Sequence, residues 1–184
     1  MVRIIRKKAR KPPDSREMEK NIQTTTYDSP CGRLLLGAID GRLCLCRWID
    51  DGDSCLSCPS AEPLADVLQE ACRQLDRYFA GQLRQFHLPL LLRGTDFQQQ
   101  AWHTLQAIPY GTTVTYGEEA RRMGRPTALR AVGNANHCNP IVVIIPCHRV
   151  VAAGGKLGGY GGGLVRKRFL LALEARHAAP SPRF

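Results

Sequence analysis

The stretch Asn139-Pro140-Ile141-Val142-Val143-Ile144-Ile145-Pro146-Cys147-His148-Arg149-Val150 decides how the rest of the chain is read. The β-branched run Ile141 to Ile145 predicts one buried strand, which delivers Pro146-Cys147-His148-Arg149-Val150 and fixes a thiol at the edge of a rigid element. A free cysteine often does no more than pack in a core. Its other use is chemical: a soft thiolate suits attack on an alkyl carbon once a base or a positive field lowers its pKa. His148 and Arg149 are the residues at hand to supply that base or field. Neighbours in an extended chain point opposite ways, so His148 is expected to reach Cys147 through a water.

Upstream of this stretch the pattern turns helical. Thr95 with Gln98, and Thr115 with Glu118, form capping-box patterns before apolar-periodic segments. The second of these helices is short and stops at Gly124, and Pro126 suits the opening of the next, through Thr127, Arg130, Val132 and Asn134. So tight a pair predicts a helix-turn-helix. Ala131, Gly133 and Ala135 after Arg130 either let that helix lie close to a partner or serve as ordinary packing positions. Further back, residues 61 to 80 carry Leu64, Val67, Leu68, Ala71, Leu75, Tyr78 and Phe79 at helical spacing before Gly81, and Asp40-Gly41 between apolar runs signals a hairpin. Residues 83 to 93, with Pro89 inside, read as a connector. The expected organisation is a basic mobile tail over 1–20, an α/β domain over 21–92 with a small antiparallel sheet and a helix, and a mostly α domain with the helix-turn-helix over 93–184.

The 184 residues are 43% hydrophobic, enough for a real core. No apolar run approaches a membrane span, and the basic N-terminus lacks the apolar stretch of a secretory signal, so an intracellular protein with no membrane partner is expected. Eight cysteines then read as reduced thiols rather than a disulfide scaffold. Cys55 and Cys58 could begin a zinc site, but no second pair follows at finger spacing, and Cys31, Cys44, Cys46 and Cys72 complete no ligand set. No metal is assigned. The net charge is +10, and no Asp or Glu lies between Glu119 and Glu174, where Arg121, Arg122, Arg125, Arg130, Arg149, Lys156, Arg166, Lys167 and Arg168 stand. Such a region fits either a solvated basic face or a polyanion partner, of which DNA is the obvious one.

Pro146-Cys147-His148-Arg149-Val150, Arg130-Ala131-Val132-Gly133 leading to Asn139-Pro140, Tyr116, and Gly159-Tyr160 through Leu164 to Glu174 together resemble the O6-alkylguanine-DNA alkyltransferases, the methylated-DNA–protein-cysteine methyltransferases. The resemblance is dense over residues 95 to 175; the N-terminal half joins it only through Tyr27-Asp28-Ser29-Pro30 and its sheet.

The resemblance implies single-turnover, irreversible transfer of an alkyl group from O6-alkylguanine, and from O4-alkylthymine, in duplex DNA to Cys147, with no cofactor and a monomer in solution. It makes His148 the base acting through a water, Glu174 its orienting carboxylate and Asn139 the hinge that braces the turn before the cysteine. Arg130 becomes the finger that fills the gap left by a flipped base, and Tyr116 the residue that rotates the target phosphate and contacts the purine. Tyr160, the amide near Gly161 and the carbonyls of Cys147 and Val150 would line the base pocket. Arg125, Ala131 and Gly133 join Arg130 and Tyr116 on the DNA, with the helix-turn-helix in the minor groove. Two rivals carry different tests: a damage sensor of the same lineage would lack the acceptor cysteine, and a thiol hydrolase built on Cys147 and His148 would need an oxyanion hole and would turn over acyl substrates.

Overall fold

In a computed structural model of the chain, residues 22–50 and 63–178 are described; the basic tail, Cys55, Cys58 and the first residues of the 61–80 segment lie outside them. The chain opens with β1 (Gln23–Ser29), β2 (Gly32–Ile39) and β3 (Arg42–Ile49), an antiparallel sheet in that order. Asp40 and Gly41 take φ of 50° and 69°, the positive values that a two-residue hairpin needs to match strand twist. Helix α1 (Asp66–Phe79) lays Val67, Leu68, Ala71, Leu75 and Tyr78 into the core shared with Leu34, Leu36 and Ala38 of β2. It ends where the sequence predicts. Gly81 has φ 73°, and Gln82 N–H returns to Arg77 O while Gly81 N–H returns to Tyr78 O.

The capping box at Thr95 is present in both directions and starts α2 (Asp96–Gln106). The two-residue strand β4 (Val114–Thr115) leads into α3 (Tyr116–Arg122), where Thr115 accepts from Glu118 N–H. Gly124, with φ 69°, closes α3: its N–H bonds Arg121 O and the Arg125 N–H bonds Ala120 O. Helix α4 (Leu129–His137) begins at Leu129, later than Pro126 suggests. Pro126 sits in the turn, and α3 and α4 pack as the predicted helix-turn-helix over α2, with Trp102 Nε1 donating to Ala135 O. Ala135 faces inward, so it belongs to the packing rather than to an outer surface. After Cys147–Arg149, a single 3-10 turn, come β5 (Val150–Val151), parallel to β4, and α5 (Leu164–His177).

One expectation fails in an informative way. Residues 141 to 145 do not form a strand. They touch β3 through a single bridge, Cys46 to Ile141, and then fold into turns. Ile144 N–H bonds Val142 O around Val143 at φ 71°, and Cys147 N–H bonds Ile145 O around Pro146 at φ −84°, ψ 58°: a positive-φ γ-turn followed by an inverse one. Every residue from Ile141 to Val150 is buried, so the β-branched run meets burial, which is what strand propensity largely measures, without a ladder. A β-branched residue at positive φ costs on the order of 1–3 kcal/mol and persists only where its surroundings over-determine it. Here they do. Asn139 Nδ2 donates to Ile145 O, its Oδ1 accepts from Ile141 N–H, and the edge of β3 holds both Pro140 O and Val142 N–H through Cys46. The same edge, at Leu43, holds the connector through Pro89 and Leu91, so both halves of the chain build one continuous core. Among the described residues no helix is long and apolar enough to cross a membrane.

Candidate active site

Cys147 sits at the start of the 3-10 turn, 6% exposed, with its Sγ 3.2 Å from the Asn139 amide nitrogen. Burial pushes the thiol up to about 11, against the pull of the Asn139 hydrogen bond and the Lys167 charge. The positive field for which the sequence offered Arg149 does not come from that residue. Successive residues of a 3-10 turn project roughly 120° apart rather than to opposite sides. Arg149 therefore leaves the thiol behind, donating through Nε and Nη2 to Glu174 and through Nη1 to Ile108 O at 2.6 Å. The positive charge near the sulfur comes instead from Lys167, a fully buried lysine one turn into α5. Its Nζ donates to Val150 O at 2.6 Å and to Gly159 O at 3.0 Å, and burial lowers it to about 8.

Glu174 organises the far side. Oε1 receives Tyr78 OH at 2.8 Å, His148 Nε2 at 2.9 Å and Arg149 Nη2 at 2.9 Å; Oε2 receives Arg149 Nε at 2.9 Å and the Gly111 amide at 3.0 Å. Burial raises this carboxyl, but the bonds and charges of His148 and Arg149 together outweigh it and hold Glu174 far below the usual carboxylate range. It is ionised and accepts only. Burial also lowers His148, which has no exposed surface, so its imidazole is neutral near pH 7. A neutral imidazole that donates from Nε2 to a carboxylate must carry its lone pair on Nδ1, and Nδ1 is buried with no hydrogen-bond partner. The fold thus fixes the tautomer of this imidazole and leaves its second nitrogen buried and free.

Tyr160 closes the wall opposite, its ring edge-on to His148 at 6.5 Å and its hydroxyl accepting from Trp48 Nε1 at 3.2 Å. Arg166 lies over the Trp48 ring at 5.0 Å and ties Asp50, Cys31 O and Gly162 O together. Gly162 must be glycine here, because a Cβ would collide with Trp48 Cδ1 and Nε1. The N-terminal sheet thereby positions the glycine-rich loop. Tyr116, the first residue of α3, donates to Gly159 O at 3.3 Å and packs beside Gly133, while Gly161 approaches His137 at the end of α4.

Of the residues singled out in the sequence, Cys147, Asn139, His148, Glu174, Val150, Tyr160 and Tyr116 converge on this one place. Arg130 and Ala131 stand apart from it, exposed on α4, and Arg125 is exposed at the turn, over the Phe97 ring at 5.6 Å. The basic stretch is only partly a surface, since Arg149, Arg166 and Lys167 face inward. Lys167, Trp48 and Tyr78 were not legible as site residues: a lysine within Arg-Lys-Arg looks solvated, and a tryptophan about a hundred positions upstream carries no local signal. Among the described residues no three His, Cys, Asp or Glu side chains cluster to hold a metal.

Two family models match the chain: the DNA binding domain of 6-O-methylguanine DNA methyltransferase over residues 96–176 and the ribonuclease-like domain of the same proteins over residues 22–92. The methylated-DNA–protein-cysteine methyltransferase of Mycolicibacterium paratuberculosis is 48% identical over 163 residues, 87% of this chain and 96% of the relative. The crystal structure of the Mycobacterium tuberculosis O6-methylguanine methyltransferase aligns with a TM-score of 0.75 at 47% identity, covering 86% of this chain and 96% of that one. The Mycobacterium tuberculosis OGT in complex with DNA aligns at 0.73 and 48% identity, covering 84% and 94%.

Proposed function

The chain belongs to the methylated-DNA–protein-cysteine methyltransferase family, a DNA-repair family that moves an alkyl group onto a protein cysteine, and we propose that in this chain the acceptor is Cys147. The observation that carries the assignment is the Asn139–Cys147 contact beside a histidine whose proton is fixed on the nitrogen bound to Glu174.

The chemistry follows from that arrangement. A thiol near 11 is not a nucleophile at rest, so its proton must leave as the substrate arrives. The His148 Nδ1 lone pair takes it through a water, and Glu174 stabilises the resulting imidazolium. The Asn139 amide and the Lys167 ammonium favour the thiolate. Sγ attacks the alkyl carbon in line, the S–C bond forms as the C–O6 bond breaks, and guanine leaves with the electron pair and is neutralised by one proton, which the imidazolium gives back through water. The product is a thioether, which neither water nor cellular thiols open, so each chain acts once.

Substrate recognition places O6-alkylguanine, flipped from a duplex, against Tyr160, the amide near Gly161 and the carbonyls of Cys147 and Val150. The latter two each already receive one donor, Val150 N–H and Lys167 Nζ, and keep a second lone pair for the exocyclic amine. Exposed Arg130 fills the vacated stack while Ala131, Gly133, Arg125 and Tyr116 meet the minor-groove walls.

The test is to incubate the protein with a duplex carrying O6-methylguanine and locate the added methyl by peptide mass spectrometry. One methyl per chain on Cys147 is expected, none in Cys147→Ser, and DNA binding retained in that variant. A methyl on exposed Cys138 instead, or turnover beyond one per chain, overturns the assignment.

A further inference from the structure

The helix-turn-helix contains two buried oxygens with no partner, and they belong to two side chains that already touch. Glu119 of α3 is 0% exposed and Asn136 of α4 is 8% exposed; Asn136 Nδ2 donates to Glu119 Oε2 at 2.7 Å, while Glu119 Oε1 and Asn136 Oδ1 bond to nothing. With an ionised carboxylate both are acceptors and neither can satisfy the other. A single proton on Oε1 removes both faults, because it donates to Oδ1 and closes a ring of two hydrogen bonds.

The surroundings favour that proton. The seam between α2, α3 and α4 is built from Phe97, Ala101, Ala120, Met123, Val132 and Ala135. Among the described residues no cation pairs with Glu119. Arg121, Arg122 and Arg130 are exposed, Arg122 pairing with Glu118, Arg125 lies at the rim over the Phe97 ring, and His103 of α2 and His137 of α4 are exposed. The titratable groups that sense Glu119 are Tyr116 and Cys147, whose anions would repel a carboxylate. An uncompensated buried charge of this kind is neutralised rather than tolerated.

We propose that Glu119 is a positioning residue held as a neutral carboxylic acid, paired with Asn136, and that this uncharged pair seats α4 on α3 in the geometry that docks on DNA. The proposal rests on the helix-turn-helix docking described above. Burial pushes Glu119 up to about 7, so the acid is lost across neutral pH. Ionisation puts a bare charge into the α3–α4 seam and sets it against the phosphates, so binding above that point requires uptake of one proton.

Glu119→Gln keeps the ring of two hydrogen bonds but cannot ionise. The experiment measures the Kd for undamaged duplex from pH 6 to 9 at constant ionic strength, for wild type and Glu119→Gln. The two agree at pH 6, and the wild type weakens relative to the variant by up to about tenfold per pH unit above the midpoint. A constant ratio across the range overturns the proposal. Loss of DNA binding by both proteins at every pH instead refutes the docking on which it rests. Infrared titration of the wild type alone supplies the second measurement, independent of how the variant folds. A carboxylic-acid C=O band at pH 6 that disappears near pH 7 supports a protonated Glu119, and its absence at pH 6 refutes it.

Discussion

Replacing Glu174 by Gln changes one atom and tests the central claim about the site. The carboxylate faces donors only: Tyr78 OH, His148 Nε2 and Arg149 Nη2 on one oxygen, Arg149 Nε and the Gly111 amide on the other. A glutamine can keep its oxygen toward the first group, but its NH2 then meets the Arg149 Nε–H and the Gly111 N–H head-on. The half-buried Gly111 amide loses its acceptor, Arg149 Nε keeps only its longer 3.3 Å bond to the remaining oxygen, and the guanidinium of Arg149, 7% exposed, loses its counter-charge. Breaking one side of a buried pair costs about 3–5 kcal/mol. For a chain of this size that lowers Tm by roughly 6–20 °C. The reaction suffers for a separate reason. Without the carboxylate His148 loses the charge that stabilises its protonated form, and methyl transfer from duplex O6-methylguanine should slow by about 10²- to 10⁴-fold under single-turnover conditions at a temperature where the variant is folded. Calorimetry and rapid-quench transfer, read together, decide the matter. A variant with unchanged Tm and a rate within threefold of wild type would refute both the buried pair and the oriented base.

Arg130→Ala should slow repair of a base-paired lesion far more than reaction with the free modified base, since only the duplex needs an extruded state held open; equal losses in the two assays would give Arg130 a folding role instead. Gly162→Ala should displace Trp48 and with it the Tyr160 hydroxyl, reducing transfer at least tenfold while costing about 1–3 kcal/mol in urea unfolding, and wild-type kinetics would show that the loop is not pinned by the sheet. Acid should destabilise the protein in two steps. His148, lowered by burial, resists the proton that the unfolded chain accepts below about 6.5, and Glu174, held far down, contributes stability that is lost as pH falls below about 4.5; Glu119, raised to about 7, acts with the opposite sign between about 7 and 4.5, so Tm is read in Glu119→Gln from pH 8 to about 2, where it should fall through both windows, and a flat profile would contradict these environments.

Much of the local structure could be read directly because its causes are local. Asp40-Gly41, the Thr95 and Thr115 caps, and the stops at Gly81 and Gly124 all fall where backbone conformation or an end-on hydrogen bond demands that residue type. The Ile141–Ile145 run misled for the complementary reason: β-branched side chains report burial, and both a strand and a pair of γ-turns satisfy it. Only the Asn139 side chain and the edge of β3, neither of which is visible in the run itself, select the turns.

Sequence was enough for the helix-turn-helix, the hairpin and the thiol's place beside His148 in the chain, because these depend on residues within a few positions of one another. It could not determine which charges act on the sulfur. Arg149, two residues from Cys147, is turned away into Glu174, whereas Lys167, twenty residues on, is brought under it, and Trp48 crosses from the first sheet to hold Tyr160. Electrostatic influence falls with distance through space and rises with burial, and both quantities exist only once the halves of the chain have closed over a common core.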